Sequence, residues 1–286
     1  MDQSYSSIID AEEAVSFAAQ PGVIIVDTRT GPGASERYAT EHLDGALFVD
    51  LDTALAEIGT DAAKGGRHPL PKPAKFGEVL NQLGISSDIH VLVYDDKNAS
   101  SAAARFWWML RSMGHEKVQV IDGGMQAAIE AGFKTSNTVS KAKLVNTDWP
   151  VSWQLPLADI TDVKKASADR SATIIDVRSR ERYDGDEEPI DLVAGHIPGA
   201  LNIPFTENLS EDGRFQTPEV LRELYDPVMK HLDPGNVIVH CGSGVTACHT
   251  LLALAHAGFK IPRLYVGSWS EWSRNELPIA TKTNGL

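Results

Sequence analysis

Ile24-Ile25-Val26-Asp27-Thr28-Arg29, in the first half of the chain, returns in the second half as Ile174-Ile175-Asp176-Val177-Arg178. Each is a short apolar run ending in Asp-x-Arg, the pattern of a buried strand running out into a loop. The correspondence continues on both sides. Glu41-His42-Leu43-Asp44-Gly45-Ala46 parallels Gly195-His196-Ile197-Pro198-Gly199-Ala200, and Val91-Leu92-Val93-Tyr94-Asp95 parallels Val237-Ile238-Val239-His240-Cys241. Helical patterns follow, from Ala102 to Met113 and from Thr246 to Ala257. Each closes on a glycine, Gly114 or Gly258, where a left-handed cap is wanted. A last strand and Gly-rich turn complete each half, Val118-Gln119-Val120-Ile121-Asp122-Gly123-Gly124 and Arg263-Leu264-Tyr265-Val266-Gly267-Ser268. Strands alternating with helices at this spacing are parallel strands joined by crossover helices. The sequence therefore predicts an α/β protein of two tandem domains of one fold, each a parallel sheet flanked by helices. The expected boundaries are 1–135 and 154–286, with the polar, aperiodic stretch 136–153 as linker.

The bulk numbers agree. A chain of 286 residues suits two domains of ordinary size. Its 26 basic and 39 acidic residues leave a net charge of −13, which argues against non-specific binding of nucleic acid. An acidic protein that binds a small anion needs a local positive site. The start, MDQSYSSIIDAEEA, has acidic residues and no basic n-region, so neither a secretory signal nor a transit peptide is expected. No apolar run approaches the length of a membrane span. Only two cysteines occur, Cys241 and Cys248. They support neither a disulfide framework nor a metal site, and no cofactor is expected. They suit a reducing, cytoplasmic setting in which one thiol is kept for its reactivity.

In parallel sheets ligands gather at the C-terminal ends of the strands, where Cys241 and Asp95 both fall. His240-Cys241-Gly242-Ser243-Gly244-Val245-Thr246-Ala247 carries the cysteine from a strand through a turn with two glycines straight into a helix. The glycines let the backbone wrap one atom closely. Successive amides and the helix start then form a ring of donors suited to an anionic thiolate or persulfide. Cys248, amid Ala247, Leu251 and Leu252, reads as core packing.

Cys241-Gly242-Ser243-Gly244-Val245-Thr246-Ala247 resembles the active-site loop of the rhodanese superfamily, in the form typical of 3-mercaptopyruvate sulfurtransferases. Gly195-His196-Ile197-Pro198-Gly199-Ala200 and Gly267-Ser268-Trp269-Ser270-Glu271-Trp272 resemble that family's N- and C-terminal signatures. Val93-Tyr94-Asp95 and Arg105-Phe106-Trp107-Trp108-Met109-Leu110-Arg111 resemble its inactive first domain. The resemblance implies tandem rhodanese-like domains with one active cysteine, in the second. It implies a two-step cycle: Cys241 takes sulfur from a small anionic donor, and cyanide, a small thiol or a thioredoxin-like protein removes it. Cys241 and Ser243 would be catalytic. Arg182, His42 and the loop residues Gly242, Gly244, Val245 and Thr246 would bind substrate.

The uncharged Gly242-Ser243-Gly244 favours 3-mercaptopyruvate, a monoanion, over the dianion thiosulfate, the alternative donor. Ser243 resembles the serine proposed to assist proton transfer to the departing enolate, and could equally cap the helix. Family members commonly grip the substrate carboxylate with two arginines. Arg182 matches the first, and Ile190 stands where the second is expected. His42 matches the family's first-domain histidine, but Thr30-Gly31-Pro32-Gly33 lacks the carboxylate expected before it. Asp176-Arg178-His196 recurs in the first half as Asp27-Arg29-His42, so His196 is assigned to the fold. Asp95 cannot carry a persulfide, so the first loop is inert. Two rival readings fare worse. A cysteine phosphatase needs an arginine where Ala247 stands, and a non-catalytic binding module would not need the intact loop around Cys241.

Overall fold

The structure, a computed structural model, describes residues 5–230 and 232–282. It divides into two compact units. Among the described residues, the first comprises 5–57, 71–154 and 213–215; the second comprises 58–70, 155–212, 216–230 and 232–282. Residues 213–215, inside the span expected for the second domain, group with the first unit, and segment 58–70, inside the span expected for the first, packs with the second. Its anchors are local and strong. Gly65 N donates to Glu271 Oε1 at 2.7 Å, and Arg67 N donates to Ser270 Oγ at 3.1 Å. Gly66 sits so close that a Cβ there would lie 2.4 Å from Gly267 O.

The first unit holds a five-stranded parallel sheet in the order Leu47–Phe48, Val23–Asp27, His90–Tyr94, Val118–Ile121, Ile8–Ile9. The second holds its counterpart in the same order: Leu201–Asn202, Thr173–Asp176, Val237–His240, Arg263–Tyr265, Leu157–Ala158. The central strands are buried along their whole length, as parallel strands covered on both faces must be. Helices Ala102–Ser112 and Ala247–His256 follow them, at the positions the sequence indicated. The edge strands, two residues each, are too short for a periodic signal and were not anticipated.

The Asp-x-Arg repeats fold alike. Arg29 and Arg178 each donate their own amide, Nε and Nη2 to the carboxylate two residues back, with the shortest contact 2.6 Å in both. Burial would raise the Asp176 carboxyl, but Arg178 and His240 outweigh it and hold it below the ordinary range. His42 and His196 stack on Tyr38 and Tyr183 at 4.0 and 3.7 Å. Each ring gives Nδ1 to the carbonyl of the tyrosine it covers, at 2.7 Å. The stretch expected as a linker is strapped onto the first unit: Trp149 covers Gly77, Trp153 packs on Phe76 and Trp108, and Asn81 pairs with Thr147.

Candidate active site

Strand Val237–His240 delivers Cys241 to the C-terminal edge of the second sheet, buried at 3 % exposure. The turn is held from one side. Cys241 N donates to Ser268 Oγ, while Trp269 N and Ser270 N donate to the carbonyls of Cys241 and Gly242 at 3.0 and 2.8 Å. Gly244 has φ +73°, and a Cβ there would lie 2.5 Å from Val266 O, so only glycine fits. Helix bonding resumes where Cys248 N donates to Val245 O. Between these anchors the amides of Ser243, Val245 and Thr246 have no hydrogen-bond partner among the described residues.

The first unit displays what such a turn can hold. Asp95, at the position of Cys241, is fully buried, and its carboxylate takes the amides of Lys97, Ala99, Ser101 and Ala103 at 2.8–3.2 Å. Burial pushes this carboxyl up, and the four amides offset the rise only in part, leaving it above the usual range. The donors sit two, four, six and eight residues beyond Asp95. Ser243 and Val245 occupy the first two of those positions in the second unit. In the first unit the turn cradles a carboxyl group, and in the second the amides at the matching positions have no hydrogen-bond partner among the described residues. His240 is fully buried, and burial holds its imidazole below the usual range. Its Nδ1 faces the Cys241 carbonyl at 3.1 Å. Cys248 lies buried in the helix with its thiol toward Gly244 O, as expected for a packing residue.

Arg182 comes from the short helix Arg180–Asp184 and reaches the loop. Its Nε and Nη2 rest on Glu188 at 3.1 and 2.7 Å, and a Cβ at Gly242 would lie 3.5 Å from its Nη2. Ile190 is exposed and supplies no cation. Two residues that sequence reading did not single out stand beside the loop instead, both from segment 58–70. His68 Nδ1 is 2.8 Å from Ser243 Oγ. Arg67 Nη2 lies 3.1 Å from the Gly242 Cβ position. His42, the histidine expected at the site, is buried in the first unit, with Nε2 on Thr138 O as well as Nδ1 on Tyr38 O. Neither His68 nor Arg67 has an apolar period or a repeat partner. The available signal was the paired glycine Gly65-Gly66 before two adjacent ionisable residues.

The rhodanese-like domain family matches residues 10–131 and 159–275. Along 97 % of this chain and 99 % of its own length, a probable 3-mercaptopyruvate sulfurtransferase of Pseudomonas aeruginosa is 37 % identical. A putative thiosulfate sulfurtransferase of Mycobacterium tuberculosis is 38 % identical over 93 % of each chain. Among solved structures, the 3-mercaptopyruvate sulfurtransferase from Leishmania major superposes with a TM-score of 0.81 at 31 % identity, covering 94 % of this chain and 74 % of that one. The chain belongs to the rhodanese-like family. Among the described residues no helix is long and apolar enough to cross a membrane.

Proposed function

We propose that this sulfurtransferase takes sulfur from 3-mercaptopyruvate onto Cys241 as a persulfide and hands it to a thiophilic acceptor: cyanide, a small thiol or a thioredoxin-like protein. The observation that carries the donor is the hydrogen bond between Ser243 Oγ and His68, 2.8 Å, two residues from the nucleophile. In the first step the Cys241 thiolate attacks the donor sulfur. An S–S bond forms, the C–S bond breaks, and its electron pair passes to the pyruvate enolate, which needs a proton to become pyruvate. Thiosulfate would release sulfite, which leaves with its electron pair and needs none. A hydroxyl–imidazole pair beside the nucleophile suits the donor whose leaving group must be protonated. Arg182 suits the donor's planar carboxylate.

The amides of Ser243, Val245 and Thr246 then hold the persulfide. An acceptor nucleophile attacks the outer sulfur, and the S–S electron pair returns to the Cys241 thiolate, a ping-pong cycle. Two thiols and no disulfide suit a cytoplasmic location. The test is a side-by-side measurement of initial rates with 3-mercaptopyruvate and thiosulfate, cyanide being the acceptor. We expect the larger kcat/KM with 3-mercaptopyruvate. A preference for thiosulfate, the donor named for the Mycobacterium relative, would overturn the choice of donor.

A further inference from the structure

We infer that the first unit carries a binding site of its own, a recess beside the Asp95 turn that takes a zwitterionic α-amino acid with an apolar side chain. The recess has a volume of about 510 Å³, and Arg29, Arg37, Glu36, Glu41, Met125 and Ile129 are among the residues that line it.

Comparison of the two repeats shows how it arises. Met125 N and Trp269 N donate to the carbonyls of Asp95 and Cys241, so the two side chains stand at matching places. In the second unit the Trp269 ring covers Arg178, whose guanidinium carbon lies 4.5 Å from the ring centre. Every nitrogen of that guanidinium is engaged: Nε by Asp176, Nη1 by Glu188, and Nη2 by Asp176 and Gly195 O. In the first unit the slimmer Met125 leaves the recess open. Arg29 is also buried, with 4 % of its side chain exposed, and it commits Nε and Nη2 to Asp27 and Nη2 to the Met125 sulfur. Its Nη1 makes no hydrogen bond among the described residues, which leaves a guanidinium donor for a ligand carboxylate. Glu36 and Glu41 are exposed and form no ion pair among the described residues. Arg37, the lining cation nearest to them in sequence, is taken by Asp96 at 3.1 Å and by the carbonyls of Thr30 and Pro32. A simple anion would meet two unpaired carboxylates, and a simple cation would leave the Arg29 donor unused. A zwitterion answers both, and Met125 and Ile129 offer its side chain an apolar wall.

The test uses the full chain with L-leucine as the probe, titrated calorimetrically. Two analogues accompany it: isoamylamine, which lacks the carboxylate, and isocaproate, which lacks the ammonium. We expect one saturable L-leucine site per chain. Isoamylamine should bind about tenfold more weakly or worse, for loss of a charge-assisted bond to a buried group. Isocaproate should bind about twofold to fivefold more weakly, since its lost partners are exposed. Met125→Trp places the second unit's own residue at the matching position, and should abolish L-leucine binding while leaving turnover with cyanide unchanged. Absence of saturable L-leucine binding to the wild type would overturn the inference, as would undiminished binding to a folded Met125→Trp. Should that variant fail to fold, the wild-type series decides alone: an analogue that binds as tightly as L-leucine refutes the zwitterion site.

Discussion

The two glycines of the reactive loop should fail in different ways when each is given a methyl group. At Gly244 the backbone is left-handed, φ +73°, and the new Cβ would lie 2.5 Å from Val266 O and 2.9 Å from Val266 Cα. Backbone cannot swing aside as a side-chain tip can. The left-handed strain contributes about 1–2 kcal/mol and the overpacking about 1–3 kcal/mol, so Gly244→Ala should cost about 2–5 kcal/mol. That corresponds to a fall in Tm on the order of 10 °C, with turnover lost as the cradle distorts. At Gly242 φ is not in the left-handed region, and the nearest atoms are the tips of Arg67 and Arg182 at 3.1–3.7 Å. These can move, so Gly242→Ala should stay within about 1 kcal/mol of wild-type stability. The methyl group would instead crowd the guanidiniums of Arg67 and Arg182, and on the proposed function it would hinder the donor's carboxylate. Displacing one charge-assisted contact raises the KM for 3-mercaptopyruvate about tenfold or more. Thermal melts of both variants, beside pyruvate release with cyanide as acceptor, decide it. If Gly242→Ala were the less stable variant, or if Gly244→Ala melted like wild type, the account of the loop would be refuted.

Other expectations follow from the same geometry. Cys241→Ser should abolish turnover and the cyanolysable sulfur with either donor while melting near wild type, because the loop is held through backbone groups. Cys248→Ser should keep most of the activity; if it were the dead variant, the nucleophile would be misassigned. Acid should weaken the first unit through His90, whose imidazole burial pushes down from 6.5 to about 4. The folded form therefore favours the neutral ring, and its contribution is complete above pH 6.5 and is lost as the pH falls toward 4. Between pH 7 and pH 5 this amounts to about 2 kcal/mol. Urea unfolding at the two pH values should show a shallower loss for His90→Phe, and equal losses in variant and wild type would contradict the assignment.

Much of this protein was legible one segment at a time. Apolar runs ending in Asp-x-Arg, repeated in each half, specify two parallel sheets, because strand burial on both faces writes itself locally as continuous Val and Ile. The reactive loop was legible for the same reason: strand, cysteine, glycines and helix start are consecutive, and their chemistry comes from the backbone between them. The four two-residue edge strands were not, because two residues carry no period. Nor was the rest of the site. Arg67 and His68 lie far along the chain from Gly242 and Ser243, and only the packing of Gly65-Gly66 against 267–271 carries them to the loop. Beside Gly242 stands Arg67, from segment 58–70, while Ile190 is exposed. The sequence alone determined the doubled fold and marked Cys241 as the candidate nucleophile, since both are written in neighbouring residues. The tertiary structure decided which cation and which histidine attend that nucleophile, because charge and hydrogen bonding act through space and leave no periodic trace along the chain.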